Sequence, residues 1–459
     1  RDSALLGRIR DLIAAVLVVV AVLLPARIEA QVSLIRDAEI ESTIREYATP
    51  IFQAAGITPS SVEIFLVNDD SLNAFVTPGM RMFINTGLLE KAETPEQVIG
   101  VIAHETGHIA AGHNLGRRDE YDRAGLTALA AYLLGLGAAI LSGSPELGQA
   151  TIMAGQDIAI KSFLSFTRGQ ESAADQAAVR YLDSAQMDPS GLRDFFEILS
   201  DQMALLGQNQ DPYLTTHPLT QDRINFLNQA VSQSRYAGQQ TDPELLHQHK
   251  RMQAKLIGFL KPAQTVFRTY PEEDDSLYAR YARAIALYRR SEIDAALPVI
   301  DSLIAENPED PYFYELRGQM LFEHQRIADS LPAYQKAVEL LPREPQLRLR
   351  LAEVQLATED PQLTQPALDN LSYVLAEEPN NARGWRLAST AHARLGDKGQ
   401  TSLALAEWNY ARGEYREAVG QARAAQKILE QHSPAWLRAQ DLEQYAEREY
   451  RRKQERENK

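Results

Sequence analysis

Residues 104–108 read His-Glu-Thr-Gly-His, an instance of H-E-x-x-H. On an α-helix, residues i and i+4 share a face, so His104 and His108 can direct both imidazoles at one ion. Glu105 stands beside them, where its carboxylate can hold a water on that ion and take its proton. Two histidines and a carboxylate so spaced are the smallest residue set for zinc-dependent hydrolysis. A catalytic zinc takes three protein ligands and keeps one position open. The third ligand must come from elsewhere, and in a chain without cysteine it must be His, Asp or Glu.

The elements that must position these residues come next. Thr94 is placed as an N-cap, Pro95 at the first helical position and Gln97 for a capping box. Val98, Ile99, Val101, Ile102, Ile109 and Ala110 follow, an apolar rod that predicts a buried helix. A third histidine of the H-E-x-x-H-x-x-G-x-x-H kind is missing, since Ala111 and Asn114 occupy the Gly and His positions. His113 would lie about 140° round a continuing helix from His108, which reads as structural. A better third ligand is Glu171, in Phe-Thr-Arg-Gly-Gln-Glu-Ser-Ala-Ala-Asp. Glu171 and Asp175 are i and i+4 on a predicted helix, among Ala173, Ala174, Ala177 and Ala178, whose small side chains allow close packing on the metal helix. Glu171 would ligate, and Asp175 would accept a hydrogen bond from a ligand histidine and fix its tautomer. Spacing alone leaves open that these are two solvated acids among 62.

Ahead of the helix, residues 62–67, 74–76 and 82–84 read as short strands separated by turns at 68–70 and 78–79, and residues 32–55 as a helix. A small sheet therefore precedes the metal helix, and an edge strand of such a sheet can bind a substrate backbone by β-addition. Helical pattern resumes over 151–231. Residues 232–241 look like a polar linker, followed by a helix over 243–260.

The rest is repetitive. Pro308, Pro342 and Pro379 close segments at intervals of 34 and 37 residues, and a period near 34 marks tetratricopeptide helix pairs. Gly318, Tyr334, Ala337 and Pro342 occupy the pattern positions of the middle unit; the next unit fits with three residues inserted. An α-solenoid follows. The expected domains are 1–30, a signal peptide; 31–235, an α+β zinc metallopeptidase domain, mostly helical with a small sheet; 236–265, a linker helix; 266–445, an all-α tetratricopeptide solenoid; and 446–459, a charged tail that frays.

The signal peptide is read from Arg1, Arg8 and Arg10, an apolar run over 12–24, and Ile28-Glu29-Ala30 as a cleavage site. It predicts a periplasmic protein. A second apolar run over 124–141 predicts a helical hairpin near the active site, buried or in peripheral contact with a membrane, with a true membrane span as the alternative. A net charge of −15 argues against nucleic acid as a partner. His247 and His249 read as surface residues, and His324, His392 and His432 as residues of repeat helices.

The stretches His-Glu-Thr-Gly-His, Glu171-Ser-Ala-Ala-Asp175, Thr216-His-Pro-Leu-Thr-Gln-Asp-Arg223 and Asn73-Ala-Phe-x-x-Pro-Gly79 together resemble the gluzincin metallopeptidases of HtpX and the prenyl-protein endopeptidases. The resemblance covers roughly residues 62–227. It implies one zinc per chain on His104, His108 and Glu171, Glu105 as general base, Asp175 behind a ligand, and His217 and Arg223 lining the site. His217 or Arg223 would stabilise the oxyanion; His217 could instead fill the fourth zinc position in a latent state. Signal peptide, peptidase and repeats in this order are similar to the periplasmic β-barrel assembly-enhancing proteases. That similarity implies degradation of misassembled outer-membrane barrel proteins, with unfolded or stalled barrels as clients and the barrel assembly machinery as partner of the repeats. The alternative is a repeat-based chaperone or scaffold whose zinc site is largely latent.

Overall fold

A computed structural model describes residues 34–113, 166–206 and 212–457. The expected signal peptide and the apolar run over 124–141 lie outside the described residues. The chain divides into two compact units, one containing Tyr47–Gln240, the other Arg36–Glu46 and Thr241–Lys459.

The first unit holds β1 (Leu34–Ile35), the later turns of α1 (Ala38–Ala54), β2 (Glu63–Val67), β3 (Ala74–Thr77), β4 (Arg81–Asn85) and α2 (Thr86–Lys91). After these come α3 (Pro95–Ala110), α4 (Arg168–Ser184), α5 (Ser190–Leu206), α6 (Pro212–Thr216) and α7 (Gln221–Gln233). The helix expected from residue 32 starts at Ala38, because Leu34 and Ile35 instead pair antiparallel with Val67 and Leu66. The strand order is β1-β2-β4-β3, with β2 and β4 parallel and β3 antiparallel to β4. β3 is thus an edge of this sheet, and all four of its residues are buried. Register stacks Phe65 on Phe83 at 4.9 Å and Phe75 on Phe83 at 4.8 Å, an aromatic ladder across three strands.

α3 is the buried helix the apolar rod predicts: Val98, Val101, Ile102 and Ala103 are each 1% exposed or less. Its start differs in detail. Thr94 is extended but its hydroxyl caps nothing, and the Gln97 carboxamide accepts the Glu93 N–H at 2.6 Å. Pro95 brings no N–H to cap, so the first turn has one orphan donor fewer.

In the second unit, five helix pairs run from Leu277 to Glu457. The first two pairs have three residues between their helices. The third has six, and the insertion forms a 3-10 turn at Pro361–Leu363. Pro308, Pro342 and Pro379 each follow the end of a second helix by two residues. A Cβ at Gly318 would lie 2.7 Å from the Tyr334 ring, so this pair must be small against large. The last helix, Pro434–Glu457, runs on into the charged tail.

The helix expected over 243–260, α8 (Pro243–Leu260), carries an ionic cluster inside this unit. Lys255, 3% exposed, lies 2.8 Å from Asp37, 3.2 Å from Glu39 and 3.8 Å from Glu315. Arg251 pairs with Glu39 and Asp310, and the Tyr281 hydroxyl donates to Glu39. Burial, together with Asp37 and Glu39 and against the pull of Lys255, pushes the Glu315 carboxyl up to about 7. His249 is not at the surface, where the lack of any other site-like residue nearby would put it. Its helix face turns inward and leaves it wholly buried, while His247 meets the Tyr278 hydroxyl at 2.9 Å. Among the described residues no helix is long and apolar enough to cross a membrane.

Candidate metal centre

Four elements of the first unit bring the polar residues together. His104, Glu105 and His108 come from α3 and are wholly buried. Glu171 and Asp175 come from α4, which starts on a full capping box between Thr167 and Gln170. Glu171 therefore sits in the first turn, where the helix dipole favours its charge. α3 and α4 approach closely because Gly107 faces Ala174: a Cβ on Gly107 would come within 3.0 Å of the Ala174 Cα and carbonyl oxygen. His217 follows α6, its N–H bonded to the Tyr213 carbonyl at 2.7 Å. Arg223 is in the first turn of α7, where Thr220 caps its N–H.

His104 Nε2 stands 3.2 Å from His108 Nε2 and 3.4 Å from His217 Nδ1. The Glu171 carboxylate lies 3.4 Å from His104 Nε2, 3.3 Å from His108 Nε2 and 3.0 Å from His217 Nδ1. A tetrahedron with arms of about 2.0–2.1 Å, the usual zinc–nitrogen and zinc–oxygen lengths, has edges of about 3.3 Å. The four groups thus fit one tetrahedral ion, and three of them without His217 fit an ion with an open position. Ring nitrogens turned on one another this way make poor hydrogen bonds, which is the pattern of a shared ligand. Both Glu105 oxygens are buried without a hydrogen-bond partner, with His217 Nε2 3.4 Å from Oε1.

Outer contacts hold this set. Asp175 Oδ1 lies 2.9 Å from His104 Nδ1, a position from which a carboxylate can fix the tautomer that leaves Nε2 free. Arg223, 4% exposed, donates to both Asp175 oxygens at 2.6 and 2.9 Å, lies 2.8 Å from Glu171 Oε2, and donates to the Pro218 carbonyl at 3.0 Å. Nε and Nη2 address Asp175, and Nη1 addresses the Pro218 carbonyl. Phe166 stacks on His108 at 3.8 Å and Tyr213 on His217 at 4.6 Å. His113, expected on another face, meets His108: the two Nδ1 atoms are 2.9 Å apart. The helix does not continue, because Gly112 turns the chain back at φ +65°. A glycine after the last periodic residue was the available signal; nothing in the sequence marked Phe166 or Tyr213.

The charges reinforce one another. Burial alone would raise the Glu171 carboxyl, but His217, His104 and His108 hold it far below the carboxylate range. Burial opposes ionisation of Asp175 too, and Arg223 and His104 win. Burial would lower His104, yet Asp175 and Glu171 push it up to about 9. Burial and the neighbouring His104 and His217 take His108 down to about 3, against Glu171. Burial pushes Glu105 up, against the pull of His217 and His104. One divalent cation would replace the proton on His104 and neutralise the carboxylates around it.

The comparisons agree with this geometry. The model of peptidase family M48 matches residues 34–231 and a tetratricopeptide repeat model matches residues 281–345. The chain is 25% identical over 399 residues to the beta-barrel assembly-enhancing protease of Yersinia pestis, covering 86% of this chain and 80% of that one. It is 23% identical to the protein of that name from Escherichia coli strain K12, over 84% of this chain and 78% of the other. Against the mitochondrial metalloendopeptidase OMA1 of Schizosaccharomyces pombe it is 24% identical over 42% of this chain and 53% of that one. With H-E-x-x-H on a buried helix, a glutamate from a second helix beside it and helix pairs beyond, the chain is a metalloendopeptidase with a peptidase M48 domain over residues 34–231, followed by tetratricopeptide repeats.

Proposed function

We propose that this chain is a periplasmic zinc endopeptidase that removes misassembled outer-membrane β-barrel proteins and assists barrel assembly through its repeats. The observation that carries the chemistry is the buried convergence of His104, His108, Glu171 and His217 on one centre, with the Glu105 carboxylate buried beside it without a hydrogen-bond partner. The barrel substrate rests on the names of the relatives matched over most of both chains.

His104, His108 and Glu171 would hold one zinc ion per chain. Bound there, zinc supplies Lewis acidity, which acidifies a water and polarises the scissile carbonyl. Glu105, whose carboxyl is raised by burial, takes the proton of the attacking water and delivers it to the leaving nitrogen. An extended substrate segment adds to the edge strand β3, which packs near α3. Arg223 braces Asp175 and Glu171 rather than donating to an oxyanion, since its donors are engaged there. That leaves His217 as oxyanion donor when it swings out. In its present position His217 Nδ1 fills the fourth corner and Nε2 faces Glu105, an arrangement that supports a latent resting state.

The same arrangement favours a second reading, a repeat-based scaffold whose peptidase is seldom used. Glu105→Gln separates the two. The variant should retain zinc and lose cleavage of an unfolded barrel protein; unchanged cleavage would rule out Glu105 as base. Failure of Glu105→Gln to rescue a barrel-assembly defect supports proteolysis as the working function, and full rescue supports the scaffold.

A further inference from the structure

His113 has no part in the chemistry above, and its contact is specific. α3 ends in a Schellman motif. The Gly112 N–H bonds to the Ile109 carbonyl at 3.1 Å, and the His113 N–H to the His108 carbonyl at 3.2 Å. Gly112 makes this closure possible at φ +65°, a conformation costly for residues with a Cβ. The reversal brings the half-buried His113 ring onto the outer edge of the His108 ring, with the Nδ1 atoms 2.9 Å apart. His108 Nε2 points the other way, at His104 and Glu171.

One proton arrangement satisfies both sides. Nε2 of His108 must offer its lone pair to the centre, so its hydrogen sits on Nδ1 and is donated to His113. His113 Nδ1 then accepts, and its own hydrogen is on Nε2. His104 has the matching arrangement with Asp175 Oδ1 at 2.9 Å. We infer that His113 is the positioning residue of ligand His108: it locks that ring in the metal-binding tautomer as Asp175 locks His104. The two ligands are thereby held unequally, one by a carboxylate and one by a neutral imidazole. The inference rests on the zinc reading above.

The test is zinc release from the full chain into excess chelator, followed by a zinc-sensitive dye with no substrate present. Loss of an outer partner weakens metal sites by about 10–100-fold. His113→Leu, which fills the space without an acceptor, should release zinc at least about 10-fold faster than the parent. His113→Asn, whose Oδ1 stands close to the lost Nδ1, should return to within about threefold of the parent. Melting of the metal-free Leu and Asn variants should be alike, which sets folding aside. Release from His113→Leu at the parental rate overturns the inference. So does equally fast release from the Leu and Asn variants, which makes the ring a packing element. A parent chain that binds no zinc removes the functional reading itself, and the assignment with it.

Discussion

Replacing Arg223 distinguishes a brace from an oxyanion donor. The guanidinium is 4% exposed, makes a two-pronged contact with Asp175 at 2.6 and 2.9 Å, and reaches Glu171 at 2.8 Å. It also lies over the Phe196 ring, 4.7 Å from the centroid. Arg223→Met keeps most of the stem volume and removes the charge, leaving two buried carboxylates short of a partner. Breaking one side of a buried ion pair costs about 3–5 kcal/mol. At roughly 2–4 °C per kcal/mol for a domain of this size, the metal-free peptidase unit should melt some 6–20 °C lower. Arg223→Lys keeps the charge but cannot address both carboxylates, so it should fall between Met and the parent. Calorimetry of the full chain under chelation reads this directly. Combination with Asp175→Asn should be less than additive, because the charge stranded by one change is gone in the other. Zinc should also leave both Arg223 variants faster, since Asp175 would no longer be held against His104. The brace is refuted if Arg223→Met melts within about 1 °C of the parent, keeps its zinc and loses only kcat; those results belong to an oxyanion donor.

Three further outcomes are expected. His217→Ala should keep zinc on the remaining three ligands and raise cleavage of an unfolded substrate, by about 10-fold if the latched form holds nine molecules in ten; a fall in cleavage would assign His217 to the oxyanion. Gly107→Ala puts a methyl 3.0 Å from the Ala174 backbone and should cost about 1–3 kcal/mol in chemical denaturation while loosening zinc; an unchanged denaturation midpoint would mean α3 and α4 can part freely. Glu315→Gln tests the ionic cluster of the repeat unit. The folded carboxyl lies near 7 and the unfolded one near 4.5, so the native state binds the extra proton between those values. The parent should lose up to about 3 kcal/mol as pH rises through that window. The variant should therefore be the more stable at pH 8 and gain little at pH 5, as read by urea midpoints; an equal gain at both would disconnect the effect from titration.

What could be read beforehand divides along physical lines. Local signals with their own periodicity translated directly: the apolar rod of α3, the alanine-flanked Glu171 and Asp175, and the repeat prolines with the three-residue insertion now seen at Pro361–Leu363. Contacts made where a helix stops did not. His113 was misplaced because an angle counted along a continuing helix fails once Gly112 reverses the chain. Gln97 accepts the Glu93 N–H instead of the Thr94 N–H, one residue before the helix cap. Leu34 and Ile35 joined a strand because β2 offers an unpaired edge, a partner that lies about thirty residues away and leaves no local trace. The burial of His249 and the clustering around Lys255 depend on long-range packing within the repeat unit, to which spacing is blind. The guanidinium of Arg223 meets Asp175 and Glu171, which lie about fifty residues away in the chain, a contact that spacing does not announce.

The zinc content of the purified chain tests the central claim most directly. After dialysis against metal-free buffer, elemental analysis should find about one zinc per chain in the parent and in His217→Ala, and almost none in His104→Ala or Glu171→Ala. A parent without zinc, or a Glu171→Ala variant that holds it as firmly as the parent, contradicts the account.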